Sequence, residues 1–165
     1  MAVAIWSLRP KETSDHGAIL DLAQTLNKWF TSEGLDEIRR DLAGHRGSVA
    51  VLRGTIVGFA TWNPIDQDVA NLSWMGVAES DHHRGIGTAL LAAIVDDVRR
   101  RGFQHLEVST VADSVDYVPY AETRRFYRSR GFRDFRVDVN RFGPPGDRYD
   151  RLLLRLDLRK LDPGP

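Results

Sequence analysis

Not one cysteine occurs among the 165 residues, which excludes disulfide frameworks, thiolate metal sites and a covalent cysteine nucleophile together. Net charge is missing as well. The 23 Lys and Arg balance 23 Asp and Glu, so the basic excess of a nucleic-acid-binding domain is lacking. No run reaches the roughly 20 apolar residues that cross a bilayer. The opening Met1-Ala2-Val3-Ala4-Ile5-Trp6 lacks the basic start of a secretory signal, and its apolar stretch ends at Ser7 and Arg9. The expectation is a cytoplasmic protein with neither a nucleic acid nor a membrane as partner. Repeats and low-complexity runs are also absent, so residues 1–161 read as a single domain, with Asp162-Pro163-Gly164-Pro165 as a frayed end.

What is present suffices for a core: 42% of residues are hydrophobic, with four Trp and seven Phe. Periodicity divides the chain into elements. Val3 to Leu8 suits a strand. Thr13-Ser14-Asp15 offers caps for a helix whose apolar positions Ile19, Leu22, Ala23, Leu26 and Phe30 recur at helical spacing, and a shorter helix is expected from Gly34 to Ala43. Ser48 to Arg53 and Thr55 to Asn63 flank Gly54 as a tight hairpin. Val69 to Val77 reads as a strand. Ile86, Leu90, Leu91, Ile94, Val95 and Val98 stripe a helix closed by Gly102. His105 to Val111, a helix from Tyr120 to Arg130 ended by Gly131, and strands over Phe132 to Val139 and Arg151 to Leu158 complete the order. This is an α/β chain with a mixed sheet and a parallel step across the helix that begins near Gly85. Between Arg124 and Lys160, twelve Arg or Lys accompany five Asp. That is either solvated surface or a basic side for a phosphorylated ligand.

Chemistry concentrates where the strand Val69–Val77 passes through Ala78-Glu79-Ser80-Asp81-His82-His83 into Arg84-Gly85-Ile86-Gly87-Thr88-Ala89. A helix start carries unpaired N–H groups and partial positive charge, and glycines let an anion approach them. A phosphate cradle and a plain helix cap both fit Gly-x-Gly. A dinucleotide fingerprint would need a third glycine where Leu90 stands, and a P-loop would need Gly-Lys before Ser or Thr; neither occurs. The pair His82-His83 has no Cys and no other histidine nearby in sequence, so no metal is expected.

Taken with the element order, His82-His83-Arg84-Gly85-Ile86-Gly87 resembles the pyrophosphate loop of the GNAT superfamily of N-acyltransferases, usually [Gln/Arg]-x-x-Gly-x-[Gly/Ala]. Here His82 occupies the first position. Phe126-Tyr127-Arg128-Ser129-Arg130-Gly131-Phe132 resembles the same family's Tyr-x-x-x-Gly-Phe helix end. Tyr120 stands where members often carry Asn, and Thr123 where they often carry Ala. The resemblance implies about seven strands, mostly antiparallel, with the parallel step between the fourth and fifth and helices on both faces. It implies acetyl-CoA as acyl donor, held by Met75, Val77, His83, Arg84, Gly85, Ile86, Gly87, Thr88 and Ala89. It implies Tyr127 as the catalytic acid for the leaving sulfur, and a backbone N–H near Met75 to Val77 for the oxyanion, where Gly76 would suit a bulge.

The implied reaction transfers an acetyl group to a primary amine of a small molecule or peptide by direct attack. An alkylammonium with a pKa of about 10.4 is neutral in roughly one molecule in 2,500 at pH 7, so a base is required. Asp66, Asp68, Glu107, Asp113 and Asp116 are in segments able to reach a cleft, and none is singled out. Tyr117, Pro119 and Tyr120 suit either an acceptor pocket or a packed turn. A non-catalytic CoA-binding module is the rival reading, and the strands from Phe132 to Leu158 offer an edge for a homodimer.

Overall fold

The computed structural model describes residues 5–143, 146 and 148–162. Among them are seven strands: β1 (Ser7–Pro10), β2 (Arg46–Leu52), β3 (Thr55–Pro64), β4 (Val69–Val77), β5 (His105–Val111), β6 (Arg133–Phe142) and β7 (Tyr149–Asp157). The helices are α1 (His16–Thr25), α2 (Ser32–Asp41), α3 (Ile86–Arg100) and α4 (Val118–Ser129). The strands lie in one sheet in the order β1-β2-β3-β4-β5-β7-β6. β1–β2, β2–β3, β5–β7 and β7–β6 pair antiparallel, and β4 runs parallel to β5, as expected. The expected first strand began at Val3, and Val3 and Ala4 fall outside the described residues. Its recorded part starts at Ser7. Of the expected frayed end, Pro163, Gly164 and Pro165 also fall outside.

Contacts group the described residues into two compact units. The first takes in residues up to Asn63 together with Leu72–Arg100. Its β2–β3 hairpin closes through Arg53 at φ 51° and Gly54 at φ 77°. Two consecutive left-handed residues are what a two-residue turn between right-twisted strands requires. Strand alternation then sends Gly58 and Phe59 to opposite faces. A Cβ on Gly58 would lie 3.0 Å from Leu90 Cδ1 and 3.1 Å from Ile86 Cγ2, so α3 presses on the strand backbone there. Phe59, fully buried, packs instead with Ile19, Leu22, Leu26, Ile38 and Leu42. Each such side chain contributes about 2 kcal/mol of burial. Gly76 of β4 belongs to this second core: an added Cβ would come within 2.7 Å of Leu26 Cδ1 and 3.0 Å of Phe59 Cε1.

The first helix ends earlier than its apolar spacing suggests. Leu26 leaves helical geometry at φ −94° and ψ 47°, and the N–H groups of Trp29 and Phe30 both donate to its carbonyl at 3.0 Å. The break turns the Phe30 ring toward the sheet, 6.5 Å from Phe59 and 6.1 Å from Trp74. α2 starts two residues before Gly34 because Thr31 caps it, its hydroxyl accepting the Gly34 N–H at 3.1 Å.

The second unit comprises Pro64–Asn71 and the residues from Arg101 onward. Leu106 faces Leu156 and Val108 faces Leu154 across β5–β7. Arg124, 6% exposed, anchors α4 by donating to the carbonyls of Val111 and Ala112 at 2.8 and 3.2 Å and pairing with Asp113. Arg128 adds Asp134 at 2.8 Å and Asp113 at 3.1 Å. The N–H groups of Gln104 and His105 both donate to Asp68 O, tying the β3–β4 turn to β5. β6 forms the sheet edge, with Phe135, Val137 and Val139 exposed.

Candidate active site

Within the first unit, β4 continues directly into a loop that is built rather than slack. Ala78 N–H donates to Val57 O at 2.8 Å, a 3-10 turn covers Glu79–Asp81, and His82 Nε2–H donates to Val77 O at 2.8 Å. The His82 ring also meets the edge of Trp29 at 5.6 Å. The histidine at the first loop position thus clamps the strand end to the loop, a role that its spacing alone did not disclose. Asp81, 7% exposed, pairs with Arg84 at 3.3 Å and accepts from Ser80 Oγ at 3.2 Å. Neither Asp81 nor Ser80 was singled out from sequence, since a polar residue in a polar loop carries no pattern.

Beyond His82 the backbone turns left-handed twice, at His83 (φ 63°) and Gly85 (φ 81°). A left-handed non-glycine residue costs about 1 kcal/mol and marks a backbone held in place by its surroundings. A Cβ on Gly85 would meet nothing within 4 Å, so its glycine answers to backbone conformation and leaves open space over the loop. The first turn of α3 closes with Ala89 N–H on Gly85 O at 3.0 Å. The N–H groups of Gly85, Ile86 and Gly87 precede that bond, at the positive end of a 15-residue helix. Ile86 is buried to 1% and plugs the helix into the core, so only its backbone can face a ligand. His83, Arg84, Gly85 and Thr88 are exposed, and Met75, Val77, Gly87 and Ala89 are half-buried. The residues expected to hold a pyrophosphate therefore share one strand–loop–helix segment.

Tyr127 lies in the second unit, near the end of α4. It is 6% exposed, with the rings of Phe126 and Phe132 edge-on at 5.2 and 5.4 Å. Burial pushes its phenol well above the ordinary value of 10, because the phenolate would lose its hydration. Its hydroxyl makes no hydrogen bond among the described residues, and it is not among the fully buried unsatisfied side-chain atoms. One turn away the Thr123 hydroxyl is spent on Pro119 O at 3.0 Å. Tyr120 packs edge-on with Tyr117 at 4.9 Å, and burial, followed by Tyr117 and Tyr149, raises its pKa.

The carboxylates considered as bases are mostly engaged. Asp66 accepts the N–H groups of Asp68 and Val69 at 2.8 and 3.0 Å. Glu107, 8% exposed, pairs with Arg155 at 2.8 Å. Asp113 is shared by Arg124 and Arg128. No group of three or more His, Cys, Asp or Glu is placed to hold a metal ion among the described residues. No helix among them is long and apolar enough to cross a membrane.

A mixed sheet whose fourth strand feeds a left-handed loop and a helix start is the framework of one acetyltransferase class. The model of the acetyltransferase (GNAT) family matches residues 7–132, and the chain belongs to that family. Mycothiol acetyltransferase of Clavibacter sepedonicus is 34% identical over 86 residues, 52% of this chain and 26% of that protein, so the chain spans about a quarter of the length of the curated relatives it matches. A GNAT-family protein from Desulfovibrio desulfuricans superposes with a TM-score of 0.80 at 25% identity, covering 93% of this chain and 99% of that one. A GNAT acetyltransferase from Elizabethkingia anophelis, solved with acetyl-CoA bound, has a TM-score of 0.70 at 18% identity, covering 92% and 97%.

Proposed function

We propose that this chain transfers an acetyl group from acetyl-CoA to a primary amine of a small molecule or peptide. The observation that carries the reading is Tyr127, whose hydroxyl is protonated at neutral pH and makes no hydrogen bond among the described residues. A hydroxyl that the fold does not spend on another residue is left to donate to a departing thiolate. The family match runs across both compact units, which supports treating residues 1–161 as one domain.

In this reading the amides of Gly85, Ile86 and Gly87, with His83, Arg84, Thr88 and Ala89 around them, hold the pyrophosphate. The backbone of Met75 and Val77 aligns the thioester and supplies a donor to its oxygen. Such preorganised donors are worth about 3 to 4 kcal/mol. The amine lone pair attacks the carbonyl carbon, a tetrahedral intermediate forms, and the C–S bond breaks as Tyr127 gives its proton to sulfur. The proton that nitrogen sheds on becoming an amide restores the phenol. A cytoplasmic location and a homodimer paired through the β6 edge belong to the same proposal. Fractionation and sedimentation test them.

The deciding experiment measures amine-dependent CoA release across a panel of primary amines, with acetyl-CoA binding followed by calorimetry. Turnover with at least one amine is expected. Tight binding without turnover of any amine would overturn the reading in favour of a CoA-binding module.

A further inference from the structure

The base for the amine is the one role that the engaged carboxylates leave vacant, and the first unit contains a chain of polar side chains that can fill it. Ser73 lies on β4, two residues before Met75, about 7 Å along the strand at the usual rise. Its hydroxyl is 2.9 Å from His45 Nδ1 and 2.8 Å from Thr61 Oγ1. His45 follows α2, its side chain 16% exposed, with Nε2 4.0 Å from Asp41 Oδ1. The other Asp41 oxygen accepts the Trp74 indole N–H at 2.8 Å, which fixes the carboxylate. A carboxylate beside Nε2 favours the tautomer protonated there, leaving Nδ1 to accept from the Ser73 hydroxyl. Ser73 and His45 Nδ1 thus form a hydroxyl–imidazole pair at hydrogen-bond distance, with Asp41 a nearby charge rather than a hydrogen-bonded partner. Thr61 and Ser73 would satisfy one another without a histidine, so His45 adds a titratable group that packing does not call for.

Resting on the acetyl-transfer reading, we propose that Ser73 and His45 form the relay that deprotonates the acceptor amine. The ammonium gives its proton to Ser73 Oγ while Ser73 passes its own to His45 Nδ1. The proton stays on His45 as the C–N bond forms, and His45 releases it to solvent after the C–S bond has broken and Tyr127 has protonated the thiolate. Ser73 is the group that touches the nitrogen; His45 and Asp41 act through it.

The charged groups facing His45 are Asp41 from α2 and Lys11 from the β1–α1 connection. Burial lowers its pKa most, Asp41 opposes this, and Lys11 lowers it further, leaving it below 6.5. A neutral acceptor at pH 7 follows.

The test is the pH dependence of kcat/KM for the most active primary alkylamine of the panel, in the wild type, H45Q, S73A and S73T. The wild type should rise through an apparent pKa below 6.5 and stay flat to about pH 9, because the transition state holds the same protons as neutral enzyme plus ammonium. H45Q should be about 10²-fold slower at pH 7, climb tenfold per pH unit, and approach the wild type near pH 9. S73A should behave like H45Q, and S73T, which keeps the hydroxyl, should restore the flat region. A variant profile parallel to the wild type, or a loss of equal size at every pH, would overturn the relay. If H45Q does not fold, the contrast between S73A and S73T decides alone. A wild type without turnover would instead overturn the acetyl-transfer reading beneath it, an outcome distinct from active enzyme with indifferent variants.

Discussion

Replacing Tyr127 with Phe should inactivate the protein while leaving its stability nearly unchanged. The substitution removes one oxygen and keeps the ring between Phe126 and Phe132, whose centroids lie 5.2 and 5.4 Å away. Because the hydroxyl has no hydrogen bond among the described residues, its removal orphans no acceptor. The hydroxyl oxygen is not among the fully buried unsatisfied side-chain atoms, so its loss relieves little desolvation cost. The variant should therefore stay within about 1 kcal/mol of the wild type, a Tm shift of no more than roughly 2 to 4 °C in a chain of this size. Losing the acid should lower kcat about 10²-fold or more, with acetyl-CoA affinity nearly unchanged. The pH profile follows from the same burial. The folded pKa of Tyr127 lies above its ordinary value, so the group leaves stability independent of pH below about pH 10 and destabilises the fold progressively as pH rises beyond it. No alkaline limb from this residue should appear below about pH 10. Differential scanning fluorimetry and steady-state CoA release read the two effects independently. A loss of more than about 1 kcal/mol would show that the hydroxyl is satisfied in the native state, and an unchanged kcat would remove Tyr127 from the chemistry.

Gly85→Ala meets no steric obstacle but must adopt φ 81°. The expected result is about 1 kcal/mol of strain and a rise of roughly fivefold in KM for acetyl-CoA with little change in kcat. Arg124→Ala leaves the carbonyls of Val111 and Ala112 and the Asp113 carboxylate without their donor. It should cost about 3 kcal/mol in urea unfolding. Asp15, nearly buried, takes the Arg9 guanidinium fork at 2.8 Å on each oxygen and the Glu12 N–H at 2.8 Å. The Arg9 hydrogen bonds hold its pKa below the ordinary carboxylate value. That stabilisation is present above about pH 4 and is lost as pH falls through the folded value. Asp15→Asn should therefore cost about 2 kcal/mol at pH 7 and progressively less in chemical unfolding below pH 3.

Elements whose burial follows local periodicity were legible in the sequence. β4 and β5 run over the residues expected, the α3 stripe of Ile86, Leu90, Leu91, Ile94 and Val98 is buried, and the Arg53-Gly54 turn closes its hairpin. Nearest-neighbour geometry sets these features, so pattern suffices. The turn at Gly85 was legible for another reason: a left-handed glycine before a helix start is a feature of a short contiguous stretch.

What the linear chain left open depends on partners far apart in sequence. α1 stops at Thr25 because the aromatic core, not helical spacing, decides where Phe30 points. Glu107 and Asp113 looked available as bases until Arg155, Arg124 and Arg128 were placed beside them. His45 and Ser73, 28 positions apart, carry no shared pattern, and only the folding of α2 onto β3 and β4 brings imidazole and hydroxyl to 2.9 Å. The sequence by itself determined the interior strands β4 and β5 and the start of α3, since each is written in consecutive residues. The tertiary structure alone decided which polar side chains are spent on one another, because burial and pairing are properties of residues that the chain does not keep together.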